Sequence, residues 1–310
     1  MIGKLAWVGL AVTDVAGAAR VLADDFELAR TDCAVGTSGK SAPVFALGEA
    51  ALALFAPDDP FLGGPARPGV HHIALAVSDV ETAVRACAEA GVPAAAPMPG
   101  FSGRWLRALR REQTAGVLTY LSEPLELPRA GGGPVERIDH IGVASADNTE
   151  AVDVFSRRLG FTVESTQTDL EVRIAVESFT SDKYGAVYHS RPPEPVGGLH
   201  VAFITVGDCE LEFLQDFDSR HAATVAYGQP GTTKQDQGAI ARFVTARGAG
   251  LHHLAIKVRD IDGLLGTLAR AGHAVIDRVG RPGSRRARIG FLHPKSLHGV
   301  LVHLVERAAA

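Results

Sequence analysis

Histidine stands at one recurring place in this chain, where an imidazole can bind a metal or move a proton. Four segments share an alternating apolar pattern: AWVGLAV at 6–12, HHIALAV at 71–77, DHIGVA at 139–144 and HHLAIKV at 252–258. The second residue of each is Trp7, His72, His140 or His253. Such alternation reads as a strand, and successive side chains on a strand point to opposite faces. His140, Gly142 and Ala144 then share one face, and Ile141 and Val143 the other. His253 and Ala255 likewise oppose Leu254 and Ile256, and Glu210 and Glu212 oppose Leu211 and Phe213. A polar head followed by small residues marks an open cavity face, while the branched face packs under helices. A lone strand histidine is ordinarily a satisfied core or surface residue, so the weight lies in the four matched positions. Ten of the 12 histidines fall from His140 onward, which points to the second half.

The elements that position these residues repeat as well. A helical pattern follows each motif, at Val15–Ala23, Val80–Ala90, Thr149–Leu159 and Ile261–Ala271. A strand hairpin comes next in each repeat. The expected pairs are Pro43–Leu47 with Ala50–Ala56, Trp105–Arg110 with Gly116–Ser122, Leu199–Val206 with Cys209–Gln215, and Arg288–His293 with Gly299–Val305. The unit is βαβββ, written four times, which predicts an α+β fold. The Gly- and Pro-rich stretch Pro128–Pro134 separates the second and third units. It divides the chain into domains at 1–127 and 135–310. The third unit is the longest, with an insertion expected near Thr180–Gly198. A second long connection, Asp216–Gly250, holds Gly-Gln-Pro-Gly at 228–231 and a predicted helix at Gln237–Ala246. Loops of this length often bind ligands or act as lids.

These motifs resemble the vicinal oxygen chelate (glyoxalase/bleomycin resistance/dioxygenase) superfamily, whose paired βαβββ modules form a cup around a divalent metal. The likeness covers nearly the whole chain as two tandem vicinal-oxygen-chelate domains. The second domain is similar to methylmalonyl-CoA epimerase through Ile138–Val143, Phe203–Leu214 (FITVGDCELEFL), Ile240–Ile256 and Phe291–Leu304 (FLHPKSLHGVLVHL). Carried over residue by residue, the epimerase pattern of metal ligands falls on His140, Glu212, His253 and His303. The family usually places a glutamate where His303 stands, so one potential base is absent here. In the first domain the matching positions are Trp7, Ala53, His72 and Tyr120. One histidine cannot hold a metal there, and the first domain reads as a degenerate copy that is structural or shapes the substrate site.

Three imidazoles and a carboxylate suit one borderline divalent ion: Zn, Co, Ni, Mn or Fe. Four ligands leave about two open positions in an octahedron. Two positions accept vicinal substrate oxygens, and the metal polarises a carbonyl. The resemblance therefore implies an epimerase or isomerase that moves a proton alpha to a carbonyl through a metal-stabilised enolate. Glu212 and His303 are the candidate acid/base groups; His200 is a weaker candidate for a second base. His252 reads as structural or as a support to the ligands, with its parity pointing away from the cup. Two alternatives stand beside this reading. One is an Fe(II)-dependent extradiol-type dioxygenase using His140, His253 and His303. The other is a small-molecule binding or resistance protein.

The remaining features narrow the class. A net charge of −4 makes no electrostatic case for nucleic acid. Cys33, Cys87 and Cys209 lack disulfide or CxxC spacing and read as buried thiols in a reducing compartment. No apolar run reaches the roughly 18 residues of a membrane span. With no signal-peptide pattern at the N-terminus, a cytoplasmic location is expected. The basic run Arg281–Arg288 reads as a solvated loop or a contact for an anionic substrate. The expected partner is a small molecule, with acyl-CoA as one option. Single-pair epimerases generally form homodimers, and a fused second pair could replace that contact or add to it.

Overall fold

The computed structural model describes residues 2–307 apart from 38, 130, 174, 193 and 217–237. The Gly-Gln-Pro-Gly motif at 228–231 lies outside the described residues. Each half of the chain forms one curled eight-stranded sheet. The first half runs β1 (Lys4–Ala11), α1 (Val15–Arg20), β2 (Arg30–Ala34), β3 (Ser41–Leu47) and β4 (Ala50–Phe55). It continues with β5 (Gly69–Ala76), α2 (Val80–Glu89), β6 (Ala94–Pro99), β7 (Trp105–Leu109) and β8 (Thr119–Ser122). The second half repeats this plan. It begins with β9 (Val135–Ser145), α3 (Asn148–Val152), β10 (Thr162–Arg173), an added hairpin β11 (Val176–Ser181) and β12 (Gly185–Ser190), β13 (Glu194–Val206) and β14 (Cys209–Asp216). It ends with α4 (Ala239–Arg247), β15 (Gly250–Val258), α5 (Ile261–Arg270), β16 (Arg281–Pro282), β17 (Arg288–Leu292) and β18 (Val302–Glu306).

The strand orders are β2-β3-β4-β1-β5-β8-β7-β6 and β10-β13-β14-β9-β15-β18-β17-β16, so the two halves share one topology. The first strands of paired modules meet antiparallel at the centre of each sheet, β1 with β5 and β9 with β15. Each is flanked by the last strand of its own module in parallel. The four module helices start alike. Asp14, Asp79, Asp147 and Asp260 are N-caps whose carboxylates accept from Gly17, Thr82, Thr149 and Gly263 backbone N–H groups. Each such cap is worth about 1 kcal/mol.

Several elements differ from the sequence expectation. The helices at 15 and 148 widen into π turns over Val21–Asp25 and Asp153–Arg158. β8 begins at Thr119, because Thr114 turns inward and its hydroxyl bonds Val117 O at 2.6 Å. The third-module insertion is the β11–β12 hairpin, earlier than the Pro- and Gly-rich segment that suggested it.

The predicted faces are clear in the core. Ile141, Val143, Leu211, Phe213, Leu254 and Ile256 join one large apolar cluster under the helices. That cluster runs through both halves, taking in Leu5, Val8, Ile73 and Leu75 of the first. The opposite face of each sheet is the concave one. In the first half it is filled by Trp7, Phe55, Phe61, Phe101 and Tyr120. In the second half it carries Ala144, Val201, Phe203, Leu214 and Ile240 at one end and Ala255, Ala287 and Val305 at the other.

Candidate metal centre

Four adjacent strands deliver the polar groups between those two apolar patches. Glu212 projects from β14, His140 from β9, His253 from β15 and His303 from β18. Small residues make room for them. Gly142 lies in register between Glu212 and His253, and Ala255 between His140 and His303. A Cβ on Gly142 would stand 2.0 Å from Cε1 of His253, so the imidazole lies directly over a bare backbone.

The ligand atoms converge. His140 Nε2 is 3.4 Å from His253 Nε2, 3.2 Å from His303 Nδ1 and 3.2 Å from Glu212 Oε2. Glu212 Oε2 is 3.5 Å from His253 Nε2. The three imidazoles offer nitrogens within 4.8 Å of one another. Around an ion with bonds of about 2.0–2.1 Å, neighbouring ligand atoms stand about 3.0 Å apart at octahedral angles and about 3.4 Å at tetrahedral ones. The donor set fits a borderline divalent cation in both chemistry and spacing.

The electrostatics fit as well. All four side chains are buried, with residue exposures of 3 to 7%. Burial pushes the Glu212 carboxyl up, but the His140 and His253 imidazoles outweigh it and hold the group well below the usual range. Burial opposes charge on His140, yet Glu212 and Asp139 raise its pKa to about 9. Burial lowers His253, which has only Glu212 in compensation. Burial holds His303 well below its ordinary value, with His140 and His253 adding to the effect. Its ring stacks flat on Phe291, with centroids 4.2 Å apart. These directions make the cluster a protonated His140 bonded to an ionised Glu212.

Sequence reasoning missed Asp139 and Arg307. Asp139 Oδ1 accepts from His140 Nδ1 at 2.9 Å, and Arg307 grips the same carboxylate through two bonds of 2.7 and 2.9 Å. The adjacent DH pair in the strand motif was the available signal. His252 stands where a support to the candidate ligands would, its Nδ1 3.1 Å from His253 Nδ1, although strand parity pointed it away from the cup. His200 is exposed and bonds Thr168 Oγ1 at 3.0 Å. It alternates with the cup-facing Leu199 and Val201, which puts it off the cavity face. The basic run is tied to acidic neighbours. Arg285 pairs with Glu210 and Glu164 and lies 3.8 Å over the Phe203 ring; Arg281 pairs with Asp277 and Arg288 with Asp262. The three cysteines are buried.

Among the described residues the first half offers no equivalent. Trp7 and Tyr120 pack edge-on against His72 with ring centroids 4.8 Å away, and Ala53 is fully buried. Burial keeps His72 neutral, its pKa well below the ordinary value. No helix among the described residues is long and apolar enough to cross a membrane.

Comparisons with known proteins bear on the fold and the family. Over 131 residues, 41% of this chain, it is 28% identical to the mitochondrial methylmalonyl-CoA epimerase of Dictyostelium discoideum, covering 69% of that protein. The mitochondrial methylmalonyl-CoA epimerase of Bos taurus is 24% identical over 202 residues, 61% of this chain and 91% of that one. A substituted 4-hydroxymandelate synthase from Streptomyces coelicolor superposes on the entire chain and on 94% of its own, with a TM-score of 0.63 and 18% identity. It shares the tandem two-sheet fold. Residues 139–291 match the model of the glyoxalase/bleomycin resistance protein/dioxygenase superfamily, and the second half of the chain is a domain of that superfamily.

Proposed function

We propose that this protein is a metal-dependent epimerase or isomerase that moves a proton alpha to a carbonyl, with chemistry like that of methylmalonyl-CoA epimerase. The observation that carries the reading is the convergence of His140, Glu212, His253 and His303 in one buried cluster. The names of the relatives support it. A divalent ion held there by His140, Glu212, His253 and His303 would supply Lewis-acid polarisation of a substrate carbonyl.

The chain's own residues set the rest. His140, with Asp139 behind it, presents Nε2 to the centre. Glu212 supplies the negative charge that offsets part of the ion's, and its low pKa suits a ligand better than a resting base. A proton-transfer role for Glu212 or His303 requires that side chain to leave the ion. The patch of Val201, Phe203, Leu214 and Ile240 excludes water from one side of the cup. The Glu210–Arg285 pair ties β14 to the loop before β17 across the same face. A small-molecule substrate of the acyl-CoA class follows from the relatives' names.

The test is metal content in protein purified without chelators, followed by solvent-deuterium incorporation into 2-substituted acyl thioesters. Near-stoichiometric metal, lost in His253→Ala and His303→Ala, with deuterium incorporated by the wild type, is the expected result. A metal-free wild type that takes up none on addition refutes the enzyme reading and leaves a small-molecule binding protein. The second reading is an Fe(II)-dependent extradiol-type dioxygenase with His140, His253 and His303 binding iron, favoured by the tandem layout with the candidate site in the second sheet. Oxygen consumption with a catechol or a 2-oxo acid, and no deuterium exchange, would select it.

A further inference from the structure

The central strands of both sheets carry four β-bulges at one equivalent place. Between β1 and β5, Leu5 pairs with Leu75 and Trp7 with Ala74, so Ala6 is the extra residue. On the partner strand, Gly9 pairs with His72 and Leu10 with Val70, so His71 is extra. Between β9 and β15, Ala255 pairs with His140 and Ile256 with Ile138, which leaves Asp139 over. Leu251 pairs with Val143 and His253 with Gly142, which leaves His252 over. Each bulge therefore immediately precedes the residue at the cup position: Trp7, His72, His140 or His253.

A bulge inserts one unpaired residue and re-aims a side chain. Strict alternation would send residue i−1 to the far face of the sheet. Here it turns back onto its neighbour's ring. His71 Nδ1 is 2.7 Å from His72 Nδ1, Asp139 Oδ1 is 2.9 Å from His140 Nδ1, and His252 Nδ1 is 3.1 Å from His253 Nδ1. Only Ala6 has no side chain to offer. In every case where the cup residue is a histidine, the bulge residue meets its Nδ1 and leaves Nε2 free of that contact.

We propose that the bulge residues Asp139 and His252 are positioning residues for the metal centre, fixing the tautomer and ring angle of His140 and His253 so that both Nε2 lone pairs meet at one point. The proposal rests on the metal reading above. Metal-binding histidines commonly need such a partner on the other nitrogen. Asp139 is the stronger of the two. It is 1% exposed, and Arg307 and Arg137 pin it at 2.7 and 3.6 Å. Arg307 directly follows the strand that bears His303, so one arginine links the ends of two ligand strands. His252 is held by the edge of Phe243 from α4, with centroids 5.1 Å apart. In the first half the same device survives in His71–His72 with no centre to serve.

The test is Zn(II) affinity, measured by competition with a chromophoric chelator. The proteins are the wild type, Asp139→Asn, Asp139→Ala, His252→Phe and, as a control, His71→Phe. Loss of such a partner typically weakens metal binding about 10- to 100-fold. Asp139→Asn keeps an acceptor and is expected near the lower figure, and Asp139→Ala near the upper. His252→Phe is expected near tenfold, and His71→Phe unchanged. The Co(II) visible spectrum reports ligand geometry separately and should change in the Asp139 and His252 variants but not in His71→Phe. If an Asp139 variant fails to fold by circular dichroism, Arg307→Gln, which loosens the anchor from outside, is expected to lose severalfold. A wild type that binds no metal overturns the metal reading and the proposal with it. Normal wild-type binding, with the Asp139, Arg307 and His252 variants all within threefold, overturns the positioning role and leaves the metal reading standing.

Discussion

Replacing one hydrogen atom should separate the two halves of this chain. Gly142 lies beneath the His253 imidazole, and an added Cβ would stand 2.0, 2.2 and 2.6 Å from its Cε1, Nδ1 and Nε2. Gly9 lies beneath His72 in the same way, at 2.2, 2.3 and 2.7 Å from Cε1, Nε2 and Nδ1. Ordinary carbon contacts begin near 3.4 Å. In Gly142→Ala the ring must therefore retreat by about 1.4 Å, in a core too dense to absorb the shift elsewhere. A metal bond tolerates only about 0.2 Å, so His253 is lost as a ligand. A lost ligand costs at least as much as a lost partner behind it, so affinity should fall about 100-fold or more, equivalent to roughly 2.8 kcal/mol. Both alanine variants should also lose about 1–3 kcal/mol of stability from overpacking. Zn(II) competition against a chromophoric chelator, run beside urea unfolding of the metal-free proteins, reads both effects. The expected pattern is similar destabilisation in the two variants, with loss of metal confined to Gly142→Ala. Equal metal affinity in both would refute the placement of the centre, and so would a Gly9→Ala protein that loses metal.

Four further outcomes follow from the same geometry. Metal uptake must displace a proton from His140, whose pKa is raised to about 9, so affinity should climb about tenfold per pH unit below 9 and level off above it; a flat profile from pH 7 to 9 by chelator competition would refute that displacement. Because that pKa is raised on folding, the stability His140 gives the metal-free protein is complete below its unfolded value of about 6.5 and lost as pH rises through about 9, a fall that urea titrations across this range would reveal. Chelation should lower the melting temperature of the purified protein, since metal bound only by the folded state adds to its stability. His72→Leu should leave metal content at the wild-type level, because His72 is a neutral ring inside the aromatic core of the first half, with Nε2 unpaired among the described residues; metal analysis of the variant decides.

Much of this was legible in the chain itself, and the exceptions share a cause. Four repeats of one motif announce four modules, because each module needs the same alternating strand and the same capped helix. Parity separates Ile141 and Val143 from His140 and Gly142 because the sheet has one face under helices and one around the cavity. Parity fails at Asp139 and His252, where alternation sends both side chains to the wrong face. A bulge adds a residue without changing composition or hydropathy, and only register exposes it. The insertion was placed a few residues late for a related reason. Pro192, Pro195 and Gly197 look like a loop, yet β13 starts at Glu194 and the chain reverses earlier, over residues 182–184. The π turns after α1 and α3 carry no composition signal, since Val21–Asp25 and Asp153–Arg158 read as ordinary helix.

The first half, which among the described residues gathers no cluster of metal-ligating side chains, has a role in packing. Its contacts with the second half come in matched pairs. A Cβ on Gly48 would meet Arg137 at 2.5 Å, and one on Gly207 would meet Lys4 at 2.5 Å. In each pair, the hairpin turn of one half touches the start of the first strand of the other. Gly116 lies against Ala249 and Gly299 against Pro68 in the same reciprocal fashion. Hydrogen bonds cross as well, from Thr13 N to His298 O at 2.9 Å, from Arg111 Nη2 to Ala249 O at 2.8 Å and from Glu49 N to Asp208 Oδ2 at 3.0 Å. Reciprocal contacts of this kind are what a two-fold dimer makes with itself, and one apolar cluster runs through both halves. On this pattern the fused first half is expected to take the place of a second copy in a homodimer. Expressing residues 128–310 alone would expose that face, and an apolar patch of this kind drives association. The fragment should elute as a dimer or larger species in size exclusion with light scattering, while the full chain elutes as a monomer. A monomeric, folded fragment with full Zn(II) affinity would refute this, because it would mean the first half contributes nothing that the second half lacks.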